Sequence, residues 1–145
     1  VARRVSDLVA AARAAIDACD GGALVAAALG AQRAAWSTVW AVGKAAQAMA
    51  RDFPGALVVD ESRAGHPTPD ERSVAWAEEL LAAARALPAA ERALLLLSGG
   101  ASALVGAPVD GLALAELQAA TRALVDGGAS IHEINLVRRH LTRLG

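Results

Sequence analysis

The run Ala93-Leu94-Leu95-Leu96-Leu97, followed directly by Ser98-Gly99-Gly100-Ala101-Ser102, decides the fold. A short unbroken apolar run closed by turn residues reads as a buried strand, and the two glycines after it predict a tight strand-to-helix turn. Upstream, Pro88 ends a helix over 71–87 that Asp70 is placed to cap. Before it, Arg63-Ala-Gly-His-Pro-Thr-Pro-Asp70 holds two prolines and a glycine and must be a shaped loop. Ala56 to Val59 reads as a brief strand closed by Asp60, and Trp36 to Val42 as a β-branched and aromatic strand ending at Gly43. Between these two strands, a helix over 44–51 is ended by Phe53-Pro54-Gly55. The chain opens with a helix from Val5 to Cys19, stopped by Gly21-Gly22, and a shorter one over 23–34. Beyond the glycine-rich turn, helices over 114–125 and 131–144 flank Gly127-Gly128.

Three strand-loop-helix units in 145 residues predict a single α/β domain spanning 1–145, three-layered and Rossmann-like, with a mainly parallel sheet wrapped by amphipathic helices. Ligands of such sheets gather at the carboxyl ends of the strands. Gly43-Lys44 and the Ser98 to Ser102 stretch meet that condition most clearly.

Composition removes several function classes. Fourteen Lys and Arg against 15 Asp and Glu give a formal charge of -1, and three Trp, one Phe and no Tyr give no stacking platform, so nucleic acid is disfavoured as a partner. One Cys makes neither an internal disulfide nor a Cys-rich zinc site, which fits a reducing, cytoplasmic compartment. The 55% hydrophobic fraction is inflated by 39 alanines, so the core is lean and relies on Leu and Val with Trp36, Trp40, Trp76 and Phe53. The longest uncharged run, Ala93 to Val109, is broken by glycines and Pro108, so no membrane segment is expected; Asp7 and Arg13 interrupt any signal-peptide core. No His or Cys pair has metal-ligand spacing, and no protein-held metal is expected.

Lys44 is the only lysine among 14 basic residues and stands beside Gly43 at a strand end, where an ammonium serves as a compact charge for a phosphate or carboxylate. The other reading is a solvated lysine opening a helix. Thr38 and Ala45 exclude a P-loop. Ser98, Gly99, Gly100 and Ser102 offer consecutive backbone N–H groups and two hydroxyls at an expected helix N-terminus, a phosphate cradle or an ordinary tight turn. A serine-hydrolase elbow lacks its closing glycine, since Ala103-Leu104 follows Ser102. His66, between Gly65 and Pro67, has its direction set by a rigid loop and either serves a site or packs the turn. Glu133, Asn135, Arg138, Arg139 and His140 cluster on the last helix, by default a solvated face.

Taken in order, Ala41-Val-Gly-Lys-Ala-Ala46 with Met49-Ala50, Gly65-His-Pro-Thr-Pro-Asp-Glu71, Leu97-Ser-Gly-Gly-Ala-Ser-Ala-Leu104, Leu114 to Gln118 with Thr121, and Gly128-Ala129 with Glu133-Ile-Asn135 and Val137-Arg-Arg-His-Leu141 carry a resemblance. The chain resembles the N-terminal part of the glycerate 2-kinase family, also called the MOFRL or hydroxypyruvate-reductase-like group. The resemblance implies a bacterial-type, two-domain kinase that moves the γ-phosphoryl of ATP, with Mg2+, onto the 2-hydroxyl of D-glycerate in an interdomain cleft. It implies Lys44 as the active-site lysine, Gly43, Ser98, Gly99, Gly100 and Ser102 as phosphate or nucleotide contacts, and His66, Glu133, Asn135 and Arg138 as substrate or cleft residues.

This chain departs from the family's pattern at several places. Ala41 and Val42 stand where it usually has Gly-Ala, Ala101 replaces a third glycine, Arg139 replaces Lys, and the stretch between Ala50 and Gly65 is shorter. The chain stops at Leu144-Gly145, where the family continues, so the C-terminal domain is expected to be absent from this chain. The expectation is therefore the N-terminal part of such a kinase. The alternatives are a shortened non-catalytic ligand-binding or assembly module of the same fold, or a hydroxypyruvate reductase; the partner expected beyond glycerate and ATP is a second copy in a homo-oligomer or the missing C-terminal domain. The reductase reading lacks any G-x-G-x-x-G fingerprint.

Overall fold

The computed structural model describes residues 2–144, so Val1 and Gly145, the ends of the expected domain, lie outside the described residues. The elements run α1 (Ala2–Ala18), α2 (Gly21–Leu29), a 3-10 helix (Gly30–Ala35), β1 (Thr38–Val42), α3 (Ala46–Met49), β2 (Leu57–Val59), α4 (Glu71–Ala86), β3 (Ala93–Leu97), α5 (Ala101–Leu104), α6 (Leu114–Asp126) and α7 (Ile131–Leu141). The strands form an all-parallel sheet of order β2-β1-β3. Pairing sets Val42 opposite both Val59 and Leu97, so the carboxyl ends of all three strands are level.

Strand alternation divides the core into two clusters. Val39 and Ala41 of β1 and Leu96 of β3 pack with Val25 of α2, Ala46 and Ala50 of the α3 turn, and Phe53. Val42, with Val59 of β2, packs on the opposite face with Ala77 and Leu80 of α4 and with Leu104, Val105 and Ala107. Helices therefore cover both faces, and the structure is α/β with a parallel sheet. Alanine makes this lean core workable, because Ala46, Ala41 and Ala77 are fully buried and let backbones approach closely.

Several expected boundaries move. Gly30 takes a φ of 51° and ends α2, so the last part of the expected second helix is 3-10, and Trp36 caps it instead of starting β1. Only Ala46–Met49 of the expected 44–51 helix is α-helical, because Gly43, Lys44 and Ala45 are spent on a turn closed by Ala46 N–H donating to the Gly43 carbonyl. The last helix stops at Leu141, three residues early: Thr142 bridges to Pro108, and Arg143 N–H donates to the Ala107 carbonyl.

The apolar stripe of α1 lies outside both clusters, with Leu8 and Ile16 each 70% exposed. β3 also departs from its expected full burial. It is an edge strand, and Leu95 and Leu97 are half exposed on the floor of a groove of about 530 Å³ whose walls include Trp40, Leu80, Val105 and Leu144. Among the described residues no single helix is long and apolar enough to cross a membrane.

Leu104 is completely buried directly behind the glycine-rich turn. Leu104→Ala is expected to cost about 2–5 kcal/mol, measured as a lowered midpoint in urea unfolding; an unchanged midpoint would show that this cluster does not carry the fold.

Candidate functional site

Two turns leave the sheet side by side, after β1 and after β3, and the backbone joins them. Ser98 N–H donates to the Val42 carbonyl at 3.0 Å, and Lys44 N–H donates to the Gly99 carbonyl at 2.9 Å. Ala45 N–H donates to Ser98 Oγ at 3.0 Å. Gly43 makes this approach possible. Its φ is 127°, and a Cβ there would stand 2.5 Å from the Ser98 carbonyl oxygen. Ser98 accordingly spends its oxygen on the turn, while the backbone N–H groups from Gly99 to Ser102 donate to no carbonyl among the described residues. α5 is a single turn of four residues, too short for the helix dipole expected behind the loop. Any anion here would depend on loop N–H groups and on Lys44.

Lys44 Nζ lies 3.0 Å from Glu61 Oε1, and His66 Nδ1 lies 3.5 Å from the same oxygen. Gly100 is the floor between them: its φ is 89°, and a Cβ there would sit 3.0 Å from His66 Cδ2 and 3.5 Å from Lys44 Cε. Lys44, His66 and Gly100, far apart in sequence, thus share one small volume. Glu61 was not singled out from the sequence. The available signal was its place just past β2, the third strand end to reach this edge of the sheet.

His66 owes its position to the loop that holds it. The Asp70 carboxylate accepts from Ser73 N–H at 2.9 Å and from Gly65 N–H at 3.0 Å, capping α4 and closing the loop in one stroke. Arg72 also donates to Asp70, and Ser73 Oγ accepts from Asp70 N–H. Gln118 of α6 donates to the Pro69 carbonyl at 2.8 Å, and Arg138 of α7 donates to the Pro67 carbonyl at 2.9 Å. The His66-Pro67 peptide is cis. Partial burial pushes the Asp70 carboxyl up, but the Ser73 N–H, the Arg72 guanidinium and the Gly65 N–H outweigh it and hold its pKa at about 2.

Below this loop a cleft of about 570 Å³ is lined by His66, Gly99, Gly100 and Ser102 on one side and by Thr121, Asn135 and Arg138 on the other. Burial lowers the pKa of Arg138, which still carries its charge at any ordinary pH. Thr121 is 3% exposed, and its hydroxyl has no hydrogen-bond partner among the described residues. The remaining predicted residues fall elsewhere. Glu133 does not line the cleft; its carboxylate accepts from Ser130 N–H and Oγ, which starts α7 with a capping box and pulls the carboxyl pKa down. Neither Ser98 nor Lys44 is among the residues lining the cleft; Lys44 lies beside Gly100, which is. No group of three or more His, Cys, Asp or Glu among the described residues is placed to hold a metal ion.

Two variants test this construction. Gly43→Ala is expected to cost about 1–3 kcal/mol in urea unfolding, whereas Gly99→Ala, whose added methyl meets open space, stays within about 0.5 kcal/mol. Equal effects would remove the significance given to the Gly43–Ser98 approach. The Asp70 carboxyl, free value 3.8, is held at about 2 in the fold, so its contribution is fully present above the free value and lost as pH falls through about 2. Asp70→Asn should flatten that acid limb in a melting-temperature profile; an unaltered limb would place the acid sensitivity elsewhere.

A family described as a domain of unknown function, DUF4147, matches residues 7–145. A glycerate 2-kinase of Pyrococcus horikoshii is 36% identical over 124 residues, covering 73% of this chain and 28% of that protein. A D-glycerate 2-kinase of Thermotoga maritima is 44% identical over 81 residues, or 56% of this chain and 19% of that protein. Among solved structures, the crystal structure of a Thermotoga maritima glycerate kinase superposes with a TM-score of 0.75 and 31% identity, over 90% of this chain and 37% of that one. The chain therefore spans well under half the length of these relatives. With nearly its whole length matched by that family, the chain belongs to the DUF4147 family.

Proposed function

We propose that this chain forms part of a glycerate 2-kinase, which transfers the γ-phosphoryl group of ATP to the 2-hydroxyl of D-glycerate. The observation that carries this reading is the convergence of Lys44, His66 and the Gly99–Ser102 turn at the carboxyl edge of a parallel sheet in a chain similar to glycerate kinases. Phosphoryl transfer asks the protein mainly to position reactants and stabilise charge on the moving group. Lys44 supplies a half-exposed positive charge beside Gly100 of the cleft wall. The N–H groups from Gly99 to Ser102 supply fixed dipoles beside it, and Ser102 adds a hydroxyl. Arg138 and Asn135 line the opposite wall, where a carboxylate or a phosphate oxygen would find donors. Glu133 contributes indirectly by fixing the start of the helix that carries them.

Bound with ATP, Mg2+ would supply charge neutralisation at the phosphates and would be held by phosphate oxygens, water and one or two carboxylates; Asp126 is the carboxylate that lines the cleft.

In a full-length kinase containing this chain, Lys44→Ala is expected to lower glycerate-dependent ADP release by at least about a hundredfold while leaving the circular dichroism spectrum and the unfolding midpoint unchanged. Near-normal turnover in a correctly folded variant would sink the assignment.

A further inference from the structure

Glu61 has no task in the phosphoryl-transfer reading, yet its Oε1 stands between Lys44 Nζ and His66 Nδ1, at 3.0 and 3.5 Å. The turn beneath it is closed locally. Ser62 donates to Asp60 Oδ1 from its N–H at 2.9 Å and from its hydroxyl at 2.5 Å, and these bonds pull the Asp60 carboxyl pKa down. Glu61 is thus carried at the end of β2 toward the volume that Lys44, His66 and Gly100 share. A single carboxylate oxygen there engages the same two side chains that an anionic ligand would use.

We propose that Glu61 is a built-in competitor at this site: its carboxylate holds the place of a phosphate or carboxylate oxygen of the ligand, keeps Lys44 aligned, and is displaced when the ligand binds. The proposal rests on the reading of the Lys44 site as an anion site. The pair suits displacement, because the Lys44 and Glu61 side chains are 52% and 50% exposed and such ion pairs are weak and screened by salt. An arriving phosphate or carboxylate brings more than one oxygen and can take Lys44 together with the unused N–H groups of the glycine-rich turn, which a tethered Glu61 engaging through one oxygen does not. Once displaced, Glu61 is a like charge beside the bound anion, so the same residue sets an upper limit on affinity.

Because Lys44 is the only lysine, 13C-lysine labelling of the chain yields one Cε resonance that reports this contact without a ligand. Glu61→Gln and Glu61→Ala should both shift that resonance. In calorimetric titration both should bind pyrophosphate or D-glycerate about two- to fivefold more tightly than the unaltered chain, with no gain in a Lys44→Ala background. A gain confined to pyrophosphate assigns the mimicked oxygen to a phosphate, and one confined to glycerate assigns it to the substrate carboxylate. Unchanged or weakened binding of both anions, or an unmoved resonance, overturns the proposal. A shifted resonance with neither anion bound by any of these chains would instead overturn the anion-site reading, and the competitor role with it.

Discussion

The approach of Gly43 to Ser98 is the constraint on which the site depends. Parallel strands β1 and β3 deliver two turns to the same edge of the sheet, and the turns can be joined only where one of them has no side chain. The junction then uses its own polar groups, Lys44 N–H on the Gly99 carbonyl and Ala45 N–H on Ser98 Oγ. It leaves the next four N–H groups of the glycine-rich turn pointing to no carbonyl among the described residues. A fixed turn with unused donors beside one lysine is an arrangement prepared for negative charge. It would not survive a β1 shifted by one residue, because every side chain on that strand would change faces.

A second constraint meets the first at His66. Asp70 caps α4 and ties back Gly65 with one carboxylate, while Gln118 and Arg138 hold the Pro69 and Pro67 carbonyls from α6 and α7. The loop is therefore fastened to three helices. That fastening brings the α6 and α7 walls, with Thr121, Asn135 and Arg138, against a site whose other half comes from the sheet. The cost of a lean, alanine-rich core shows at the periphery. The α1 stripe and the face of β3 that carries Leu95 and Leu97 remain open, while the buried residues form two clusters on the two faces of the sheet.

Periodicity and punctuation made most of the fold legible. The apolar run Ala93–Leu97 was readable as a strand with its observed boundaries because glycines and polar residues close it on one side and Pro88 ends the helix before it. The Asp70 cap was readable from residue type alone. Boundaries failed where backbone geometry outweighs propensity. The helix expected from Lys44 begins at Ala46 because the preceding residues form the turn, and the last helix gives up Thr142 to a bridge with Pro108. Propensity is local, whereas those competing bonds come from across the turn or from a segment more than thirty residues away.

The sequence by itself determined the helices and strands that make the α/β class, the shaped loop and the strand ends at which chemistry could gather, because each depends on residues that are neighbours along the chain. It also carried the family likeness, as ordered motifs around one lysine. Only the tertiary structure decided which of the candidate residues share space. It set Lys44 beside His66 and Gly100, turned Ser98 inward and assigned Glu133 to capping α7. It also brought in Glu61, whose side chain has no marked spacing in the sequence. The physical reason is reach: an ion pair or a lining contact needs atoms within a few ångströms, and the packing of strands and loops, not their order in the chain, sets that distance.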